Sequence, residues 1–174
     1  VSAAAVTLQV DSPQRMRSVA AELAAGLAPG DWVALTGELG AGKTCFVRGL
    51  AQGLGLRDDQ VASPTFVLLH LYDEPRDPSQ TPRAQLAHLD AYRLGGAEEL
   101  AGLGLDALLD SRPVVVTVEW AERIDEAVPP GALWAHLEHA EDPGARRLTL
   151  RSEAPSMGAL LEALAQRQPP LGDS

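Results

Sequence analysis

The stretch GELGAGKT, Gly37 to Thr44, constrains this chain more tightly than any other eight residues. It matches G-x-x-x-x-G-K-[ST]. In such a loop backbone N–H groups cradle phosphates, the lysine reaches the β- and γ-phosphates, and the hydroxyl takes Mg²⁺. The loop works only between a strand and a helix, because the helix N-terminus supplies unpaired N–H groups and a positive dipole end. Asp31-Trp32-Val33-Ala34-Leu35-Thr36 reads as a buried strand just before it. Thr44 to Leu54 carries Phe46, Val47, Leu50, Ala51 and Leu54 at helical spacing, with Gly53 and Gly55 as stop signals. A dinucleotide fingerprint would need G-x-G-x-x-G, whereas Gly37, Gly40 and Gly42 fall as G-x-x-G-x-G.

Basic-residue usage sharpens the reading. Lys43 is the one lysine among 14 basic residues, and the rest are arginine. A phosphate loop needs a compact ammonium on a flexible stem, which a planar guanidinium does not replace. The formal net charge of −10 should repel nucleic acid, so tRNA or any other RNA is expected to be met only indirectly, through a protein partner. The 174 residues suit one domain, expected as a single phosphate-loop ATPase domain over 1–168 with a frayed tail at 169–174. No apolar run approaches bilayer length, the first residues lack a basic n-region, and Cys45 is the only cysteine. These features predict a cytoplasmic chain with no membrane association.

Elsewhere, Ser12-Pro13 predicts a helix start with Ser12 as N-cap, followed by an apolar stripe of Met16, Val19, Ala20, Leu23 and Leu27. Phe66–Tyr72 and Leu86–Asp90 read as strands around a proline-rich, mobile hairpin tip at 73–85. Ala97 to Asp110 reads as one helix, Pro113 to Val118 as a buried strand, and 132–138 and 147–151 as half-buried antiparallel strands. Met157 to Ala165 reads as a last helix. The predicted fold class is α/β: a phosphate-loop NTPase-like three-layer sandwich with a parallel central sheet and flanking antiparallel strands.

Two acids stand where strands are expected to end, Asp90 in His88-Leu89-Asp90 and Glu119 in Val118-Glu119-Trp120. Ligands of open α/β sheets bind at the carboxyl ends of strands, which suits both acids to a site beside the loop. Asp90 is assigned to a Mg²⁺ shell, and Glu119 to that shell or to the attacking water. His88 shares a strand face with Asp90, so it either positions that aspartate or packs. Thr65, in Ser63-Pro64-Thr65-Phe66, is a candidate γ-phosphate sensor, and Trp120 a candidate flank for the nucleotide. Arg93 is free to meet an acid, a phosphate or a partner.

GELGAGKT, SPTF, HLDAYRL and VEWAER, in this order, resemble the TsaE family over about residues 6 to 151. The resemblance implies a small α/β ATPase for threonylcarbamoyladenosine (t6A) formation on tRNA, working with the transferase TsaD and its companion TsaB. It implies ATP and Mg²⁺ as cofactors, with catalytic roles for Lys43, Asp90 and Glu119 and metal contacts from Thr44, Asp90 and Glu119. ATP contacts would come from Gly37, Glu38, Leu39, Gly40, Ala41, Gly42, Lys43, Thr44, Cys45, Thr65 and Trp120. Glu38 stands where aspartate is usual and Cys45 where a second threonine is common. A thiol at a helix N-terminus also raises a side expectation of reactivity at Cys45.

The glycine loop is compatible in principle with other functions. Guanine recognition through N-K-x-D is excluded, since the chain has no asparagine and its one lysine lies in the loop. A small-molecule kinase would share the loop and use Arg76 and Arg83 of the proline-rich tip as a lid. A nucleotide-dependent binding module would dock without useful hydrolysis.

Overall fold

The structure, a computed structural model, describes residues 4–167. Seven strands form one mixed sheet in the order β1-β7-β6-β2-β5-β4-β3. They are β1 (Ala4–Val10), β2 (Trp32–Thr36), β3 (Leu69–Tyr72), β4 (Gln85–Asp90), β5 (Val114–Glu119), β6 (Leu133–His139) and β7 (Arg146–Ser152). The centre, β6-β2-β5-β4, is parallel, and antiparallel strands close both edges. The helices are α1 (Pro13–Ala24), α2 (Lys43–Leu54), α3 (Ala97–Ala101), α4 (Leu105–Ser111) and α5 (Pro155–Arg167).

Burial explains the central strands. All six residues of β5 are buried, as a parallel strand covered on both faces requires. Alternation then sorts side chains between two cores. Leu35, Leu86 and Val115 enter the core that holds α1, α2 and α5. Ala34, Ala87, Leu89, Val116 and Val118 enter the other, with Leu100 of α3 and Leu105 of α4. Continuing the first face up the strands places His88 and Asp90 on β4, and Thr117 and Glu119 on β5, on the side that carries α2. The parallel register pairs Asp90 with Glu119 and Leu35 with Glu119. The carboxylates therefore sit at one edge, level with the end of β2, where the glycine loop begins.

Helix α1 starts as the sequence predicts: the Ser12 side chain accepts from Arg15 N–H and Pro13 occupies the first turn. Gly53 corrects an expectation. It lies inside α2, and the helix ends at Gly55, which takes the left-handed conformation. Gly49 and Gly53, one turn apart, face α1; a Cβ at either would strike backbone of Arg17 or Ala21. They are glycines because α2 lies backbone-to-backbone on α1 beneath the loop.

Other expectations also shift. Phe66 to Leu68 form a turn before β3, in which Leu68 has φ 67° and its carbonyl accepts from Asp90 N–H. Residues 97–110 split into α3 and α4 because Gly104 adopts φ 74°. The proline-rich tip is tied down: Arg57 N–H bonds Glu74 O, Arg76 N–H bonds Gly55 O and Arg83 N–H bonds Leu54 O. Strand β1 was missed because it is an edge strand with only Leu8 and Val10 buried. The tail at 169–174 lies outside the described residues. Gly49→Ala tests the helix contact. Helix propensity alone favours alanine, yet the clash with α1 backbone should cost about 1–3 kcal/mol net. A urea midpoint equal to or above the parent's would contradict it.

Candidate functional site

Glycines shape the loop between β2 and α2. Gly37 has φ 138°, and a Cβ there would strike the Leu137 carbonyl oxygen of β6. Gly42, at φ 108°, turns the chain into α2, whose first residue is Lys43. The Lys43 side chain folds back over the loop, its Nζ donating to Gly37 O at 2.5 Å and Glu38 O at 2.9 Å. The same ammonium lies 3.9 Å from the centre of the Trp120 ring. Burial pushes its pKa down, opposed by the nearby charges of Glu119, Glu122 and Asp90. This desolvated cation, bonded to carbonyls and a ring face, is held ready for an anion.

Thr44 stands beside it and donates its hydroxyl to Glu119 Oε1 at 2.9 Å. The same Oε1 accepts from His88 Nε2 at 2.9 Å. His88 is fully buried, and its Nδ1 has no partner among the described residues, so the ring's polar tie is to Glu119. Sequence reasoning offered it to Asp90 or to packing. Thr117 is the ladder partner of His88, and Glu119 stands diagonally from it on the same face of β5, within reach of a long imidazole side chain.

Asp90 is buried and organises a different segment. Its Oδ2 accepts from Thr65 Oγ1 at 3.0 Å and Ser63 Oγ at 3.2 Å. Its Oδ1 accepts from Tyr92 N–H at 2.9 Å. The Ser63–Thr65 loop is thus latched to the end of β4. After Glu119 the chain turns sharply: Trp120 has φ 58° and ψ 40°, a left-handed conformation that tryptophan rarely adopts. Leu68 and Trp120 are the two non-glycine residues with positive φ among those described, and both flank this edge of the sheet. Such strain is retained where surrounding contacts over-determine it.

Together these groups line a cleft of about 500 Å³ holding Lys43, Thr44, Thr65, Asp90, Glu119 and Trp120, with Leu39, Gly40, Gly42 and Cys45 along the loop side. A larger cavity of about 740 Å³ lies across Trp120, bounded by Thr36, Gly37, Glu38, Trp134, His136 and Arg151. The chemistry-bearing set is in the smaller one. Ala41 is buried inside the loop and Leu39 projects to solvent. Arg146 of β7 was missed: its guanidinium donates to Ala41 O at 3.2 Å and Gly40 O at 3.3 Å, bracing the loop from outside. It lies over a hundred residues downstream in an antiparallel strand, so no local pattern marks it.

Two side expectations change. Cys45 is half-buried, its thiol donates to Pro13 O at 3.5 Å, and burial pushes its pKa up. That is the opposite of an activated thiol. Arg76 and Arg83 are tied to the C-terminal end of α2, about 18 Å from the loop by helix rise over its 12 residues. They cannot serve as a lid over the cleft.

Hard oxygen ligands, two carboxylates and a hydroxyl, line the cleft beside a cation that has no carboxylate within ion-pair distance among the described residues. That set suits Mg²⁺, which takes one or two carboxylates and completes its shell with water and substrate phosphates.

Comparison with known proteins agrees with the resemblance. The family model described as Threonylcarbamoyl adenosine biosynthesis protein TsaE matches residues 10–148. The Streptomyces coelicolor protein named tRNA threonylcarbamoyladenosine biosynthesis protein TsaE is 43% identical over 126 residues, 72% of this chain and 80% of that one. Its Bacillus subtilis namesake is 37% identical over 131 residues, covering 75% and 76%. The crystal structure of Bacillus subtilis YdiB superposes with a TM-score of 0.72 at 29% identity, covering 96% of this chain and 98% of that one. On the family model and these relatives, the chain belongs to the TsaE family.

Proposed function

We propose that the cleft binds Mg–ATP and hydrolyses it, and that this ATPase supports t6A modification of tRNA under control of the TsaD–TsaB transferase. The observation that carries the reading is the convergence of Lys43, Thr44, Asp90 and Glu119 on one cleft at the start of α2. The glycine loop is then a phosphate loop. Its amides and Lys43 neutralise charge that develops on the transferred phosphoryl group. Thr44, Asp90 and Glu119 would hold Mg²⁺, which when bound would supply Lewis-acid stabilisation of the same phosphates. Thr44 can donate its proton to Glu119 while its oxygen lone pair stays available. Glu119 receives both its hydrogen bonds on Oε1, which leaves Oε2 to orient the attacking water.

On this reading Thr65 and Trp120 register the γ-phosphate, supported by the bond of Thr65 to Asp90 and the contact of Trp120 with Lys43. Among the described residues no arginine lines the cleft, so full activity is assigned to the assembly with TsaD and TsaB. The chain meets tRNA only through them. The kinase reading loses its lid with Arg76 and Arg83 placed at the far end of α2.

Lys43→Ala should weaken ATP binding by about two orders of magnitude in titration calorimetry, from loss of a charge-assisted contact to phosphate. Parent-like affinity would remove Lys43 from the site. Glu119→Gln should keep ATP binding and binding to TsaD–TsaB but stop repeated turnover in tRNA modification. Full turnover in that variant would favour the non-hydrolytic binding module. His88→Leu should cut kcat by about tenfold or more with KM for ATP within about twofold, because a lost hydrogen bond to a charged buried group costs about 1.5–3 kcal/mol. His88→Gln, which can still donate, should recover part of it. Equal kcat in all three proteins would reduce His88 to packing.

A further inference from the structure

We propose that Tyr72 is a positioning residue for the hydrolysis assigned to the cleft. Its hydroxyl anchors the root of the Ser63–Thr65 segment and its ring backs His88, so one side chain sets Thr65 and Glu119 together. The proposal rests on the reading of the cleft as an ATPase and adds a residue that is not among the cleft's walls.

Strand β3 is a short edge strand, and Tyr72 is its one buried residue. An aliphatic side chain would fill that place without burying a polar group. A buried phenol needs a partner for its hydroxyl. Here one residue supplies both bonds: the Tyr72 hydroxyl accepts from Ala62 N–H and donates to Ala62 O, each at 3.3 Å. Neither Ala62 group has a backbone partner among the described residues. Burial pushes the phenol pKa up, so the hydroxyl keeps the proton that it donates. Arg48 of α2 holds the preceding residue, its Nε donating to Val61 O at 3.0 Å. The root of the segment is therefore fixed both from the sheet edge and from the helix that follows the glycine loop. Just beyond this root, Ser63 and Thr65 bond to Asp90.

The ring makes the second link. On the β3–β4 ladder His70 is the direct partner of His88, and Tyr72 stands diagonally from it on the same face. The Tyr72 and His88 ring centres are 6.2 Å apart with their planes at 38°, within the range of a tilted aromatic pair. His88 is fully buried and is tied to Glu119 through Nε2. The exposed His70 stacks on the Tyr72 ring at 4.4 Å. A shift of this ring thus moves the root of the Thr65 segment and the imidazole that holds Glu119. Removing the hydroxyl separates position from folding. Ala62 is exposed, so water can pair its peptide groups in Tyr72→Phe and the fold should survive.

The test compares the parent chain, Tyr72→Phe and Tyr72→Leu. Phosphate release from Mg–ATP is measured with purified TsaD, TsaB and tRNA. Amide hydrogen exchange is followed in each chain alone, at Ala62, Ser63 and Thr65 and in the glycine loop, and thermal unfolding reports on the fold. For Tyr72→Phe the expected result is a kcat at least about fivefold lower, with KM for ATP within about twofold. Exchange at the three amides should be at least about fivefold faster, with the glycine loop unchanged. Tyr72→Leu, which also removes the ring behind His88, should lower kcat further. Parent-like kcat in Tyr72→Phe would overturn the proposal while leaving the ATPase standing. So would a lower kcat with unchanged exchange at the three amides. Exchange raised evenly over the whole chain, with a lower unfolding temperature, would reduce Tyr72 to packing and overturn it too. A parent chain that releases no phosphate, alone or with the partners, would overturn the ATPase reading and the role of Tyr72 with it.

Discussion

The two hydrogen bonds into Glu119 Oε1 hold the site together. One comes from Thr44 on α2 and the other from His88 on β4, while Glu119 itself ends β5. A buried carboxylate is costly unless hydrogen-bonded, so this edge of the sheet is stable only when loop helix, β4 and β5 are in register. The glycines of α2 serve the same end. By letting α2 lie directly on α1, Gly49 and Gly53 set the height at which the helix N-terminus meets the sheet.

The two acids divide the work. Glu119 faces the glycine loop through Thr44, and Asp90 faces the Ser63–Thr65 loop through two hydroxyls. Each acid thus ties one neighbouring segment to a strand end, and the acids are ladder partners. Under the proposed function, a change at the γ-phosphate reaches both elements together. Trp120 is the shared boundary, lying over Lys43, packing on Tyr92 and separating the two cavities.

Much of this was legible in the sequence because its signals are local. The loop, its strand and its helix follow from glycine spacing and apolar periodicity, and the helix start at Ser12-Pro13 from capping chemistry. Asp90 and Glu119 were found because acids at strand ends are conspicuous after apolar runs. The misses share a different cause. His88 was offered to Asp90 or to packing because the sequence shows neighbours along a strand but not the side chains that the adjacent strand brings alongside, here the diagonal Glu119. Arg146 reaches the loop from a strand that only the sheet order brings close. Gly53 read as a stop because a helix-interior glycine has no local reason until the facing helix is seen. The segment 97–110 broke at Gly104 because its apolar stripe tolerates a kink that periodicity averages over. Strand β1 alternates in burial, but of its inward residues Ala4 and Val6 are only partly covered, leaving Leu8 and Val10 as its buried pair.

The central claim is that the cleft hydrolyses ATP and that partners complete it. The most direct measurement is phosphate release from Mg–ATP by this chain alone, then with purified TsaD, TsaB and tRNA. A partner-gated ATPase should show a slow rate alone and strong stimulation by the full set, with no stimulation when Lys43 is replaced by alanine. A rate that ignores the partners but rises with a small-molecule acceptor of the γ-phosphate would contradict it.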